Sequence, residues 1–328
     1  MAMKCRFSEE SDAPRLVEFW RKHGGWDDID LPEWKRRFDE TPFGRNFTIM
    51  VEDSKSRELL AQGILLRSRV MTADGPITAV RPFAPIVAEK STGGMLGKRF
   101  LSHPTMRMLW FALRELKSIG TDVFYMVPDP RWIPVLSRLP GFEIASFPLF
   151  SLQLPLAWEF ELPPGVSAAP IESFGEEVDA LWNECATRLD LYRVGVVRNA
   201  RLLAWKVGNG DYEVTAVRRA GELIGLAASR AKGDRQWLIC DMLVRDTGDS
   251  LDSTLRAVAN LAHRHSQSAD PDSVRKVAIL ASPAIEPRLR QLGFERDSYD
   301  FHLMVSRVNS RIDAERVAPG KWYISANE

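Results

Sequence analysis

Apolar positions along the chain switch between a helical and an extended period. In SDAPRLVEFWRKHG, Leu16, Phe19 and Trp20 fall on one helical face behind a Ser11 or Asp12 cap, and LPEWKRRFDE adds a short helix carrying Trp34 and Phe38. Three extended segments follow: NFTIMVED (46–53), LLAQGILLRSRVMT (59–72) and PITAVRPFAPIVAE (76–89). They are separated by the turn signals SKSRE and ADGP. Pro82 and Pro85 predict a break in the third strand region, since proline gives a ladder no donor. KSTGGMLGKRFLSH reads as a loop. HPTMRMLWFALRELKSIG predicts a helix over 103–120, with Leu109, Ala112, Leu113 and Leu116 on one face and Gly120 closing it. DVFYMVP is a buried-type strand, PRWIPVLSRLPG a short helix and FEIASFPLFSLQL a strand pair.

LPLAWEFELPPGVSAAP (154–170) is proline-rich and aperiodic, which marks a linker. Beyond it the same order returns. SFGEEVDALWNECATRL is a helix, and an irregular stretch runs to Trp205 and Lys206. YEVTAVRRA, LIGLAASRA and QWLICDMLVR are strands, DTGDS is a loop, and SLDSTLRAVANLAHRHS is a long helix. VRKVAILAS is a strand, PAIEPRLRQLG a short helix and FERDSYDFHLMVSRV a strand pair. The hexapeptides RLPGFE (138–143) and RQLGFE (290–295) fall at the same point of both series. Units this long exceed the roughly 20–50 residues of a solenoid repeat, so the pattern predicts a duplicated domain: 1–155 and 156–328, joined near 154–170.

Composition narrows the function classes. With 328 residues, 45% hydrophobic and 27% charged, the chain has an ordinary globular balance. Lys+Arg and Asp+Glu number 44 each, so there is no broad basic face and no nucleic-acid partner is expected. Three scattered cysteines give neither a disulfide framework nor a metal-ligand spacing. No run approaches the about 18 apolar residues of a membrane span, and MAMKCRFSEE lacks a signal-type apolar core. A cytoplasmic protein with no membrane partner is the expectation.

Certain segments resemble the tandem GNAT-type (GCN5-related) N-acyltransferases. In the first half they are WKRRFDETPFGRNF from Trp34, the hairpin around ELLAQGILL, and VPDPRWIPVLSRLPGF. In the second they are LAWKVGNGDYEV, GELIGLAASR, LICDMLV and LRQLGFE, with the terminal GKWYISANE. The resemblance implies an α/β (α+β) fold: two GNAT-like domains, each a mixed, mostly antiparallel sheet flanked by helices. It implies acetyl-CoA or another acyl-CoA as co-substrate, no metal, and a primary amine of a small molecule or sugar as acceptor. The carrier's pantetheine arm would add along a parted strand, and backbone N–H groups before a long helix would hold its pyrophosphate. The matching place in the first half is TGGMLGKRFL, with Gly93, Gly94, Gly97, Lys98 and Arg99, although its glycine spacing departs from the family pattern. In the second half it is RDTGDSLDS, where Asp246, Asp249 and Asp252 oppose a pyrophosphate. The tyrosine acid that the family carries before its Gly-Phe corner is missing from both halves.

Two carboxylates are candidate bases. Glu89, where the strand meets the glycine-rich loop, either deprotonates an incoming ammonium or is a strand-end surface residue. Asp241, inside the apolar LICDMLV, is either a base of raised pKa or an anchor paired with a backbone N–H or an arginine. His103 stands at a helix start as a cap or near the acyl site, and Trp34 and Trp205 are core residues or line an acceptor groove. The leading expectation is an N-acyltransferase active in its first half, as a monomer (pseudo-dimer) or homodimer. Rival readings are a non-catalytic binding or regulatory protein of the same fold and a Fem-type aminoacyltransferase using aminoacyl-tRNA.

Overall fold

The structure is a computed structural model and describes residues 2–25, 28–89, 103–171, 173–188, 191–208, 211–233, 235–267 and 273–327. The chain divides into two compact units that are not contiguous in sequence. The first holds Met1–Arg69, Ile77–Met126 and Ser306–Ile312; the second holds Val70–Pro76, Val127–Val305 and Asp313–Glu328.

The first unit opens with a short strand, β1 (Met3–Phe7), which pairs antiparallel with β2. Helix α1 (Ala13–His23) buries Leu16, Val17, Phe19 and Trp20 and ends in Arg21, Lys22 and His23, cations that suit the negative end of the helix dipole. Asp30 caps α2 (Leu31–Trp34), which widens into a π turn over Lys35–Asp39. The strands β2 (Phe47–Asp53), β3 (Leu59–Thr72) and β4 (Gly75–Val87) follow, then α3 (Pro104–Glu115) and β5 (Val123–Met126). The sheet order is β1-β2-β3-β4-β5; β1, β2 and β3 are antiparallel neighbours, and β4 and β5 run parallel. Alternation along β3 assigns its two faces. Ile64 joins the core with Trp20, Trp34, Phe38 and Met50 under α1 and α2. Gly63 turns the other way, and a Cβ there would lie 3.2 Å from Met108 Sδ on α3. The proline-rich β4 is one strand, bent at Ala84 (φ 48°) rather than broken, because a single left-handed residue absorbs the kink.

The second unit begins with the short helix α4 (Ile133–Leu136) and the corner Gly141, whose φ of 80° falls in the left-handed region glycine tolerates. Strand β6 (Phe142–Gln153) is continuous, not a pair. The proline-rich segment contains a real strand, β7 (Val166–Pro170). Its side chains are mostly exposed, so no alternation announced it. Then come α5 (Glu176–Arg188), β8 (Val194–Val196), α6 (Ala200–Val207), β9 (Glu213–Arg219), β10 (Glu222–Lys232), β11 (Gln236–Val244) and α7 (Asp249–Ser266). The remaining elements are β12 (Lys276–Leu280), α8 (Glu286–Gln291), β13 (Glu295–Arg307) and β14 (Trp322–Tyr323). The order β7-β9-β10-β11-β12 matches β1-β2-β3-β4-β5, again with one parallel pair, β11 and β12; β6 pairs antiparallel with β12. Gly293 (φ 83°) repeats the Gly141 corner, and Gly225 repeats Gly63, with a Cβ that would meet Thr254 Oγ1 of α7 at 2.1 Å. Each unit is thus a mixed, mostly antiparallel sheet flanked by helices. Among the described residues no helix is long and apolar enough to cross a membrane.

Candidate functional site

Parallel strands end their ladder wherever the chain gives them reason to diverge, and both units do this in mid-strand. In the first unit β4 and β5 match at Ala79 with Val123 and Val80 with Phe124, yet β4 runs on through Ala84 to Val87. The base of this fork is pinned by Asp122. Its N–H donates to Thr78 O (3.0 Å), and its carboxylate accepts from Thr78 N (2.9 Å), Thr78 Oγ1 (2.7 Å) and Asn309 Nδ2 (2.8 Å). Burial would raise the pKa of Asp122, but these donors outweigh it and hold the group below its ordinary value.

Beyond β4 the chain reaches Glu89, which is exposed. Gly93, Gly94, Gly97, Lys98 and Arg99 lie outside the described residues. The chain returns at His103, the N-cap of α3, 6% exposed, whose Nδ1 accepts from Thr105 N (3.3 Å). That bond puts the ring proton on Nε2, which has no partner among the described residues. Burial lowers the pKa of His103, so the ring is neutral at pH 7.

In the second unit the ladder of β11 and β12 runs from Gln236 with Lys276 to Ile239 with Ile279. A bulge follows at once: β10 matches Ser229 with Ile239 and Ala228 with Asp241, leaving Cys240 extra. Asp241 is 1% exposed. Its Oδ1 accepts from Arg198 Nε (2.7 Å) and Met242 N (2.9 Å), and its Oδ2 from Lys206 Nζ (2.9 Å). Arg198 is fully buried, donates also to Val196 O (2.6 Å), and lies 4.6 Å from the Tyr323 ring centroid. Burial pushes the pKa of Asp241 up, but the two cations and their hydrogen bonds overcome it and keep the carboxylate ionised, well below its usual range. An acid this strong takes up a proton poorly at neutral pH, so the cluster is built to hold charge rather than to relay it.

Glu89 and Asp241 fall in different units. Trp34 is 1% exposed, its ring 4.8 Å from Phe38 and 6.0 Å from Trp20, while Trp205 on α6 is half-buried. Sequence reasoning missed Arg198 and Lys206, which lie 43 and 35 residues from Asp241. The available signal was the arginine closing the apolar run VGVVR.

No family model and no curated protein matches the chain. Solved structures do. A conserved protein of unknown function from Enterococcus faecalis V583, described as a probable N-acyltransferase, superposes with a TM-score of 0.66 at 10% identity over 94% of this chain and 73% of its own. A GCN5-related N-acetyltransferase from Anabaena variabilis gives 0.66 at 11% identity over 94% and 73%. One from Kribbella flavida gives 0.61 at 14% over 93% and 71%. The chain has the fold of the GCN5-related N-acetyltransferases.

Proposed function

We propose that this protein is an N-acyltransferase with two GNAT-like domains in one chain, moving an acyl group from acyl-CoA to the primary amine of a small molecule or sugar. The observation that carries the reading is the fork between β4 and β5 ahead of α3, within a fold shared with N-acetyltransferases. A parted parallel pair leaves strand edge to which an amide-bearing arm adds by main-chain hydrogen bonds. The amine nitrogen attacks the thioester carbonyl, the C–S bond breaks, and the sulfur leaves as thiolate. Glu89, two residues past the end of β4, takes the ammonium proton directly or through one water. With no tyrosine in α4 or α8, the thiolate is protonated by solvent. A thiol pKa of about 8.5 makes that leaving group tolerable near neutrality.

Isothermal titration of the intact chain with acetyl-CoA and longer acyl-CoAs tests the donor, and thiol release against a panel of amino sugars, amino acids and polyamines tests the acceptor. Saturable binding and amine-dependent thiol release are expected. Absence of binding by every thioester overturns the reading. Glu89→Gln should lower kcat about 10²–10⁴-fold with thioester affinity unchanged.

A further inference from the structure

The second unit has a fork of its own, and what fills it is visible atom by atom. Arg245 N donates to Ile224 O, so along the antiparallel ladder residues 241 and 243 turn their backbone groups toward β10. Met242 and Val244 turn theirs the other way, to the side where the β12 ladder has stopped. In an open fork these groups would await an added strand. Here each is taken. Tyr192 Oη donates to Met242 O (3.0 Å) and accepts from Val244 N (3.0 Å). Cys185 Sγ donates to Val244 O (3.0 Å), and Asp241 Oδ1 accepts from Met242 N (2.9 Å).

The start of α7 is occupied as well. Asp246 Oδ1 accepts from Gly248 N (2.9 Å) and Ser250 N (3.2 Å), and Oδ2 accepts from Ser250 Oγ (2.7 Å). A carboxylate therefore sits where backbone N–H groups and the helix dipole would otherwise draw an external anion. Asp249 and Asp252 in the first turn add charge of the same sign.

We propose that the second unit is permanently closed to an acyl carrier by its own side chains, with Tyr192 as the plug of its strand fork and Asp246 as a built-in anion at its helix start, so that the chain has a single carrier site, in the first unit. This rests on reading a strand fork as the place where the carrier adds. The plug is rigid. The Tyr192 ring packs 4.9 Å from Tyr323 and 5.9 Å from Trp182, centroid to centroid, and its hydroxyl uses one donor and one acceptor, which only the neutral phenol can do. Burial keeps it neutral by raising its pKa, and pushes the Cys185 thiol up to about 12 so that it remains a donor.

Amide hydrogen exchange on the intact chain, with and without saturating acetyl-CoA, tests the closure. The Met242 and Val244 amides should exchange slowly in the free protein and be unchanged by acetyl-CoA. In Tyr192→Phe the Val244 amide should speed up on the order of two- to tenfold, with Leu243, which faces β10, as the unaffected control. Fast exchange at Val244 in the free wild type, or slowing there on adding acetyl-CoA, would overturn the proposal. If acetyl-CoA binds nowhere, the proposed activity fails, while the free-protein amides still decide whether this fork is closed.

Discussion

A buried charge is stable only as part of a set, and Asp241 is the clearest case at the scale of single residues. Its two cationic partners, Arg198 and Lys206, are 0% and 14% exposed in their side chains, so removing the anion strands positive charge in the interior. Asp241→Asn should therefore destabilise the protein by about 3–5 kcal/mol, measured by chemical denaturation at pH 7. The pH dependence follows from the sign of the shift. A carboxylate depressed on folding contributes stability above its unfolded pKa of about 3.9 and loses it as pH falls toward the folded value. Wild type should lose stability below about pH 4, and Asp241→Asn should lose less over that range. The aspartate itself was legible as an anomaly in an apolar strand. Its partners were not, because local pattern does not set a pairing across 43 residues; the arginine closing VGVVR marks a charge in an apolar run but not what it pairs with.

At the scale of elements, two glycines do the same job at different tightness. Each lies in a central strand where an added Cβ would meet the long helix of its unit. At Gly225 a methyl group would overlap Thr254 Oγ1, which is fixed by donating to Ser250 O (2.7 Å). At Gly63 the obstacle is the flexible end of Met108. Gly225→Ala should cost about 1–3 kcal/mol and Gly63→Ala less, and most of the Gly225→Ala loss should disappear in a Thr254→Ala background. Denaturant midpoints of the four variants would settle the order. Sequence pattern found these strands and helices readily, since their buried faces are apolar at the right period. It found the shared corner too, since RLPGFE and RQLGFE both place glycine at a left-handed φ. It missed β1, β7, α6 and the very short β8 and β14. β1 and β7 lie at sheet edges with few buried side chains, and α6 is only eight residues long, capped by Asn199 through Leu202 N (2.9 Å). β6 and β13, each read as a strand pair, are single long strands of 12 and 13 residues.

For the whole molecule, the order of elements repeats along the sequence, but the compact units do not follow the midpoint of the chain. The first unit takes Ser306–Ile312 from near the end, and the second takes Val127–Gln153 from the first half. Both loans are well anchored. Val308 N and Asn309 N donate to Asp122 O at 2.9 and 3.0 Å, at the base of the fork proposed to hold the acyl carrier. Strand β6 matches Lys276–Leu280 of β12 over five residues and buries Phe147, Leu149 and Phe150. A fragment cut at residue 155 would lose the Val308 and Asn309 bonds to Asp122, keeping only those to Thr78, and would keep β6 without its β12 partner, exposing an apolar strand edge of the kind that drives aggregation. Residues 1–155 expressed alone should therefore be insoluble or lack dispersed amide resonances, and co-expression with 156–328 should restore a soluble complex. A well-folded 1–155 monomer binding acetyl-CoA as tightly as the full chain would show that the anchoring at Asp122 and β12 is dispensable. The proposed carrier site would then need only contiguous sequence.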